Sequence, residues 1–277
     1  MNERAERSLT GLFDSHAHYF DRRFEAEAEE GADGILCREV FGKGMAGVIN
    51  VATNPENARA CIGQAARYER MYAAIGIHPE DCLHLDSSAE EELEKLLPWL
   101  EESQIRKEKK IVAIGEIGLD YYWQPCDKER QAAFFEAQLS LAQQLDMPVI
   151  IHDRDAHGDC FETVLRYPRV MGVFHSFSGS AEMAKELCRR GWYLSFSGVL
   201  TFRNARRVRE VAEIVPAEQM LLETDCPYLT PEPYRGRLNH SGYLCHTAEL
   251  LASVRGMTYE EIVAQTSANT KRLFKIM

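Results

Sequence analysis

Two histidines spaced by one residue, His16 and His18, follow the apolar pair Leu12-Phe13. On an extended strand, residues i and i+2 point to the same face. Both imidazoles are therefore expected to project together from a strand end, and converging imidazoles are what a divalent transition metal takes. A lone His-x-His is more often a coincidence of surface or core. Here the same chemistry recurs. His78 follows Gly76-Ile77, His152 follows Val149-Ile150-Ile151, and His175 follows Gly172-Val173-Phe174. Glu116 stands in the run Gly115-Glu116-Ile117-Gly118, and Glu223-Thr224-Asp225 ends the last run. Five of the nine histidines thus close short apolar runs, while His84, His157, His240 and His246 do not. A hydrogen-bonded core histidine explains any one of these, but not five together with two strand-end carboxylates.

Four of the histidines with Glu116 and Asp225 can hold two divalent ions. Glu116 lies centrally, where a carboxylate can bridge two metals through its two oxygens. Such paired ions, about 3.5–4 Å apart, clamp the attacking and leaving oxygens of a phosphoryl displacement and acidify bound water. Asp225 is placed both to ligate and to take the proton of that water. Gly115 and Gly118 flank Glu116 and let the backbone pass close to its neighbours.

Positioning these residues requires strands that end together. Eight strand-like runs recur: Leu12–Asp14, Val48–Val51, Tyr72–Ile77, Ile111–Ile117, Val149–His152, Gly172–His175, Trp192–Phe196 and Leu221–Asp225. Most are apolar on both alternations, as in a parallel sheet buried on both faces. Helical patterns separate them: Pro55–Arg70 behind an Asn54 cap, Ser87–Glu102 interrupted by Pro98, Asp127–Leu145, Asp155–Tyr167, Ser180–Arg190 and Asn204–Ile214. Two more, near Gly242–Arg255 and Thr258–Lys275, close the chain. Eight alternations with mostly short connections predict one α/β domain over residues 1–277, a (β/α)₈ TIM barrel. Residues 1–10 read as a loosely ordered start. The acidic stretch Asp21–Val40 reads as a solvated loop or helix above the barrel, with a lid as the lesser reading.

The chain has 277 residues, 45% of them hydrophobic, and a net charge of −11. An acidic surface argues against nonspecific coating of nucleic acid, so affinity for it must come from local arginines and bound cations. None of the eight cysteines forms a Cys-x-x-Cys pair, which excludes a zinc ribbon. The first ten residues are mostly polar and charged, and no apolar run approaches the ~20 residues of a membrane span. The expectation is a reduced, cytoplasmic protein with free thiols and no membrane contact.

Read in order, Asp14-Ser15-His16-Ala17-His18, Gly76-Ile77-His78-Pro79, Gly115-Glu116-Ile117-Gly118-Leu119-Asp120-Tyr121, Ile151-His152-Asp153-Arg154-Asp155-Ala156, Phe174-His175-Ser176-Phe177-Ser178-Gly179 and Glu223-Thr224-Asp225-Cys226-Pro227-Tyr228-Leu229 resemble the TatD family of metal-dependent deoxyribonucleases. The resemblance runs from about Phe13 to Phe274. It implies that His16, His18, Glu116 and Asp225 hold one metal and that Glu116, His152 and His175 hold a second. It also places His78 beside the metals, within reach of a substrate phosphate. The stretch Pro233-Tyr234-Arg235-Gly236-Arg237-Leu238-Asn239 resembles the family's loop after strand eight, which usually continues with a proline two residues past the asparagine; Ser241 stands there in this chain.

Arg203, Arg206, Arg207 and Arg209 follow strand seven, and Arg235 and Arg237 follow strand eight. Guanidinium forks suit phosphate. Arg203 and Arg235 are the substrate-binding candidates, since one helix cannot aim all the others at one site. The expectation is a two-metal phosphodiester hydrolase, a DNA exonuclease acting on single-stranded DNA. Zinc, manganese, iron, cobalt or magnesium would suit the site, and no obligate protein partner is evident. Two rivals stand beside it. One is hydrolysis of another ester or amide on the same metals, as in aminoacyl-tRNA deacylation. The other is a non-catalytic binding protein.

Overall fold

The computed structural model describes residues 7–124 and 126–277. Eight strands form one parallel sheet in sequence order: β1 (Phe13–Ala17), β2 (Gly47–Val51), β3 (Met71–Ile75), β4 (Ile111–Asp120), β5 (Val149–Arg154), β6 (Gly172–Phe174), β7 (Tyr193–Phe196) and β8 (Met220–Leu222). Two backbone hydrogen bonds close the ring beyond β8, from His18 N–H to the Cys226 carbonyl at 2.8 Å and from Asp225 N–H to the His16 carbonyl at 2.9 Å. The fold is the (β/α)₈ barrel with its helices outside.

Apolar contacts separate the two faces of the strands. Phe13, Ile49, Val51, Ala74, Ala113, Ile150, Val173 and Leu221 pack together as the barrel filling, joined by Leu273, Phe274 and Ile276 from the chain end. Leu12, Ala17, Ile114, Ile117, Leu119, Ile151, Phe174 and Leu222 pack outward against the helices. On β5, β6 and β8 strict alternation then sends His152, His175 and Glu223 inward. On β1 and β4 it does not suffice. Leu12 and Ala17 share the outer face although five positions separate them, and so do Ile114 and Ile117, three apart. The ladder slips at both places, between Asp14 and Ala17 and between Ile114 and Ile117. Each slip is a β-bulge, and each turns the following polar residues to the inner face: His16 and His18 on β1, Glu116 and Asp120 on β4.

Helix boundaries fall within one or two residues of the sequence pattern for Lys128–Leu145, Ala181–Arg189, Arg206–Ile214, Leu244–Arg255 and Tyr259–Leu273, and Pro55–Arg67 ends three residues before the expected Arg70. Asn54, Asp127, Ser180 and Thr258 cap four of these through their side chains. The segment Ser87–Glu102 is broken, as its proline suggests, into Ala89–Glu94 and Leu97–Leu100, and a further helix, Ser103–Glu108, follows it. Pro98 at the start of the second piece cannot donate to the preceding turn.

The stretch Asp21–Val40 is helical with a solvated acidic face, and it is also anchored by apolar residues. It forms helices Arg22–Glu27 and Gly31–Ile35 and a wide turn over Leu36–Val40, with Phe24, Leu36 and Val40 fully buried. Phe24 stacks on Tyr19 at 4.9 Å between ring centroids. Its acidic residues are the outer face of a packed cover. Of the expected loose start, residues 1–6 lie outside the described residues. From there the chain is tethered: the Ser8 carbonyl accepts from the Tyr259 hydroxyl at 2.7 Å, and Leu9 is buried.

Candidate metal centre

At the C-terminal end of the barrel the inward side chains converge. His16 Nε2 and His18 Nε2 lie 3.0 Å apart. Both face Glu116 Oε2, at 3.3 and 3.6 Å, and both face Asp225 Oδ1, at 3.7 and 3.3 Å. The other oxygen of Glu116, Oε1, lies 2.7 Å from His152 Nδ1 and 2.7 Å from His175 Nε2. Those two nitrogens are 3.2 Å apart. His78 Nε2 stands 3.7 Å from the same oxygen. Glu116 thus lies between two groups of imidazoles, one per carboxylate oxygen.

Glycine makes this possible at two positions. A Cβ on Gly115 would come within 2.7 Å of Ile150 Cβ. Gly118 has φ +148°, and a Cβ there would fall 2.0 Å from the His152 carbonyl oxygen. No residue with a side chain fits either place without moving β5, the strand that carries His152.

A second layer of groups fixes the imidazoles. Val51 carbonyl holds His18 Nδ1 at 2.7 Å, Asp120 Oδ2 holds His152 Nε2 at 2.9 Å, and Glu223 Oε1 lies 3.3 Å from His175 Nδ1. Glu223 also accepts from Ser176 N–H at 2.7 Å. His16 is set by stacking on His175, with ring centroids 4.1 Å apart. His78 Nδ1 accepts from Glu80 N–H at 3.1 Å, which leaves its proton on Nε2, pointing at the site. Asp120 and Glu223 were missed as supports in the sequence. The available signal was their spacing: Asp120 is four residues past Glu116 and Glu223 two before Asp225, so each shares a strand face with a ligand candidate.

The charges are mutually dependent. Burial alone would raise the Glu116 carboxyl, but His175, His16 and His78 hold it well below the usual range. Burial likewise opposes ionisation of Asp225, and its bond to His18 with the fields of His175 and His16 lowers it. His152 is buried, which disfavours its charged form, yet bonds to Asp120 and Glu116 push it up to about 9. His175 is raised well above the ordinary value against its burial, by Glu116 and Glu223. Burial and the neighbouring His175 lower His16, and burial and His152 lower His78 to about 3.

These residues fit divalent cations. Imidazole nitrogens facing one another at 3.0 and 3.2 Å need a proton or a metal between them. Ligands about 2 Å from a tetrahedral ion stand about 3.3 Å apart, close to these separations. Potential donors from His16, His18 and Glu116, from His16, His175 and Asp225, and from His78, Glu116 and His152 each lie within 4.8 Å of one another. Supporting groups behind the histidines complete the pattern of a metal site.

The arginine candidates stand apart from this cluster. Arg235 is exposed and lies over the Phe202 ring, 4.1 Å from its centroid, so the loops after β7 and β8 meet there. Arg203 is exposed on the first of those loops. Arg206 pairs with Glu210 on its own helix at 2.8 Å, and Arg209 donates to the carbonyls of Leu200, Thr201 and Phe202. Both of those guanidinium groups are engaged in local structure.

A parallel barrel with histidines and carboxylates gathered at the strand ends is the arrangement of a metal-dependent hydrolase. Comparison with known proteins narrows the class. Residues 13–275 match the family described as TatD related DNase. The chain is 38% identical over 268 residues to "Uncharacterized metal-dependent hydrolase YabD" of Bacillus subtilis, covering 96% of this chain and 99% of that protein. It is 34% identical over 268 residues to "Uncharacterized metal-dependent hydrolase YcfH" of Escherichia coli K12, covering 96% of both. The crystal structure of the TatD homologue YjjV from Escherichia coli K12 superposes with a TM-score of 0.86 at 30% identity, over 97% of this chain and 100% of that one. The chain belongs to the TatD family. No helix among the described residues is long and apolar enough to cross a membrane.

Proposed function

We propose that this chain hydrolyses phosphodiester bonds in single-stranded DNA as an exonuclease, with Glu116 shared between two cation positions. The observation that carries this reading is the division of Glu116. One oxygen faces His16 and His18, and the other faces His152 and His175. A single-metal hydrolase has no need of both imidazole groups. His16, His18, Glu116 and Asp225 would hold one ion, and Glu116, His152 and His175 the other. Zinc, manganese, iron, cobalt or magnesium at these positions would acidify bound water and draw charge from the phosphoryl oxygens.

The protein's own part is positioning and proton transfer. Asp225 is a carboxylate at neutral pH and reaches into the site at its open side, where it can accept the proton of the attacking water. His78 is neutral and presents Nε2–H, a donor for a non-bridging phosphate oxygen. Arg203 and Arg235, on the rim loops, would hold flanking phosphates as charge-assisted contacts. Among the described residues all cysteines are free thiols, and only Cys37 is exposed, which fits a reducing compartment such as the cytoplasm.

The test is release of nucleotides from end-labelled single-stranded DNA by metal-loaded protein, with and without chelator. Chelator-sensitive, stepwise shortening is expected. Intact DNA, alongside turnover of carboxylic esters or aminoacyl-tRNA, would transfer the reading to a different ester.

A further inference from the structure

The turn that follows β4 carries Tyr121, Tyr122 and Trp123, and the three have different fates. Tyr121 is engaged: its hydroxyl donates to Asp159 at 2.7 Å, and Lys128 Nζ lies 3.8 Å from its ring centroid. Tyr122 and Trp123 are 51% and 50% exposed, edge to face at 4.9 Å. Leaving two adjacent large aromatics half in water forgoes stabilisation that burial would supply. Of the exposed aromatics in the described chain, these two and Tyr228 all stand at strand C-terminal ends. That is the face where the metal ligands converge.

Arg154, the last residue of β5, completes the group. Its guanidinium carbon lies 3.8 Å from the Tyr122 ring centroid and 5.3 Å from that of Trp123. The side chain is exposed and makes no ion pair within 4.0 Å among the described residues; the Glu80 carboxylate acts on it only through its field. Its fork therefore stays available to an anion from outside.

The group is tied to the centre through one carboxylate. Asp120 Oδ1 accepts from the backbone N–H of Tyr122 at 2.9 Å and of Trp123 at 3.4 Å, which shapes the turn. Asp120 Oδ2 holds His152 Nε2 at 2.9 Å. The turn is pinned from below by Gln131, which accepts from Asp120 N–H at 2.9 Å and donates to the Asp120 carbonyl at 2.8 Å. Three residues of chain span at most about 10 Å, so Trp123 stays near the position where His152 points.

We propose that Tyr122, Trp123 and Arg154 form a binding platform for one unstacked nucleobase of a single strand, with Arg154 on the phosphate beside it. Rings without strong sequence demands, coupled to a free guanidinium, are the chemistry of single-strand binding, because every base offers a π-face. The same platform favours a single strand over a paired duplex, whose bases are already stacked on their neighbours. The proposal rests on the nucleic-acid reading above and adds to it a subsite and the origin of single-strand preference.

The test uses the metal-loaded full chain and two probes, a phosphorothioate-linked oligothymidylate octamer and an abasic octamer with the same backbone. Trp192 is buried and Trp99 partly buried, so Trp123 is the indole most open to contact. The thymidylate probe is expected to quench tryptophan fluorescence of the wild-type chain, and Trp123→Ala to abolish that quenching. Trp123→Ala should weaken binding of the thymidylate octamer about five- to a hundredfold. Binding of the abasic octamer should be equal in wild type and variant, metal content unchanged, and Trp123→Phe should keep most of the affinity. Equal affinity of Trp123→Ala and wild type for the thymidylate probe, in a protein that still cleaves DNA, would overturn the platform alone. Failure of the wild type to bind or cleave any strand would overturn the platform together with the nucleic-acid reading.

Discussion

Asp120 holds His152 from behind: its Oδ2 sits 2.9 Å from Nε2, so that Nδ1 is the nitrogen left to face Glu116. The carboxylate fixes both the ring's orientation and its tautomer. Loss of such a support costs about 10- to 100-fold in metal affinity. On the proposal of two cations, Asp120→Ala is therefore expected to weaken one metal by about that factor and to spare the other. Calorimetric titration of stripped protein with zinc should show two unequal sites in the variant. Unchanged affinities at both would make Asp120 only the shaper of the following turn.

Stoichiometry separates the bridging role of Glu116 from an ordinary ligand's. Glu116→Ala removes a donor from each imidazole group and should cost both ions, whereas His152→Ala should cost mainly one. Elemental analysis after metal loading and desalting is the measurement. Two metals retained by Glu116→Ala would sink the bridge.

The barrel was legible because its strands are short, apolar and regularly interrupted. On β5, β6 and β8 plain alternation also tells which way His152, His175 and Glu223 point. The bulges on β1 and β4 were not legible. Ala17 and Gly115 fit either face, so nothing local marks the slip, and only pairing with β2 and β5 fixes it. The supporting roles of Asp120 and Glu223 were hidden for the same reason: they depend on which side chain the neighbouring strand presents. Charge told the solvated face of Asp21–Val40 and hid its anchors, because the glutamates outnumber the few apolar residues, Phe24, Leu36 and Val40, that are buried. In the arginine cluster after β7, carbonyl groups of its own loop occupy Arg209, in keeping with the expectation that one helix cannot aim all of these side chains at the site.

Arg235 and Arg209 offer a contrast between binding and structure. Arg235→Ala should raise the Michaelis constant for DNA and reduce the slope of log affinity against log salt by about 0.7, one single-strand phosphate contact. Arg209→Ala should leave that slope alone and lower stability by about 1–2 kcal/mol through three carbonyls losing their donor. Salt titrations of binding and urea unfolding of both variants supply the comparison. An unchanged slope in Arg235→Ala would make its place over Phe202 a packing contact.

His240 gives a pH dependence outside the metal cluster. Burial lowers its pKa to about 4, with Glu39 opposing and Lys43 assisting. Its Nδ1 accepts from Gly242 N–H at 3.1 Å, a bond that needs the neutral ring. In the unfolded chain the imidazole titrates near 6.5. Between about pH 6.5 and 4 the unfolded state therefore binds the proton and the folded state does not, so stability falls as pH falls. His240→Asn keeps an acceptor at the cap without titrating. The wild type is expected to lose on the order of 2 kcal/mol more than the variant between pH 7 and 4 in matched urea titrations. Parallel curves would show that His240 titrates normally in the fold.

Asp225→Asn separates the ligating role of Asp225 from its role as a base. The residue has φ +56°, a left-handed conformation that asparagine adopts as readily as aspartate. Its N–H donates to the His16 carbonyl and its carbonyl accepts from Tyr228 N–H, and both bonds survive the substitution. The variant should therefore fold normally. An amide oxygen can still face His16 and His18, and the group of Glu116, His152 and His175 is untouched, so at least that metal should remain. What is lost is a carboxylate able to take a proton. Turnover is expected to fall about a hundredfold or more, the scale of general-base loss. DNA binding should persist, because removing a negative charge beside phosphate cannot repel it. Single-turnover cleavage and binding, measured on protein of verified metal content, report the two effects separately. Near-normal turnover in Asp225→Asn would assign water activation to the cations or to another residue.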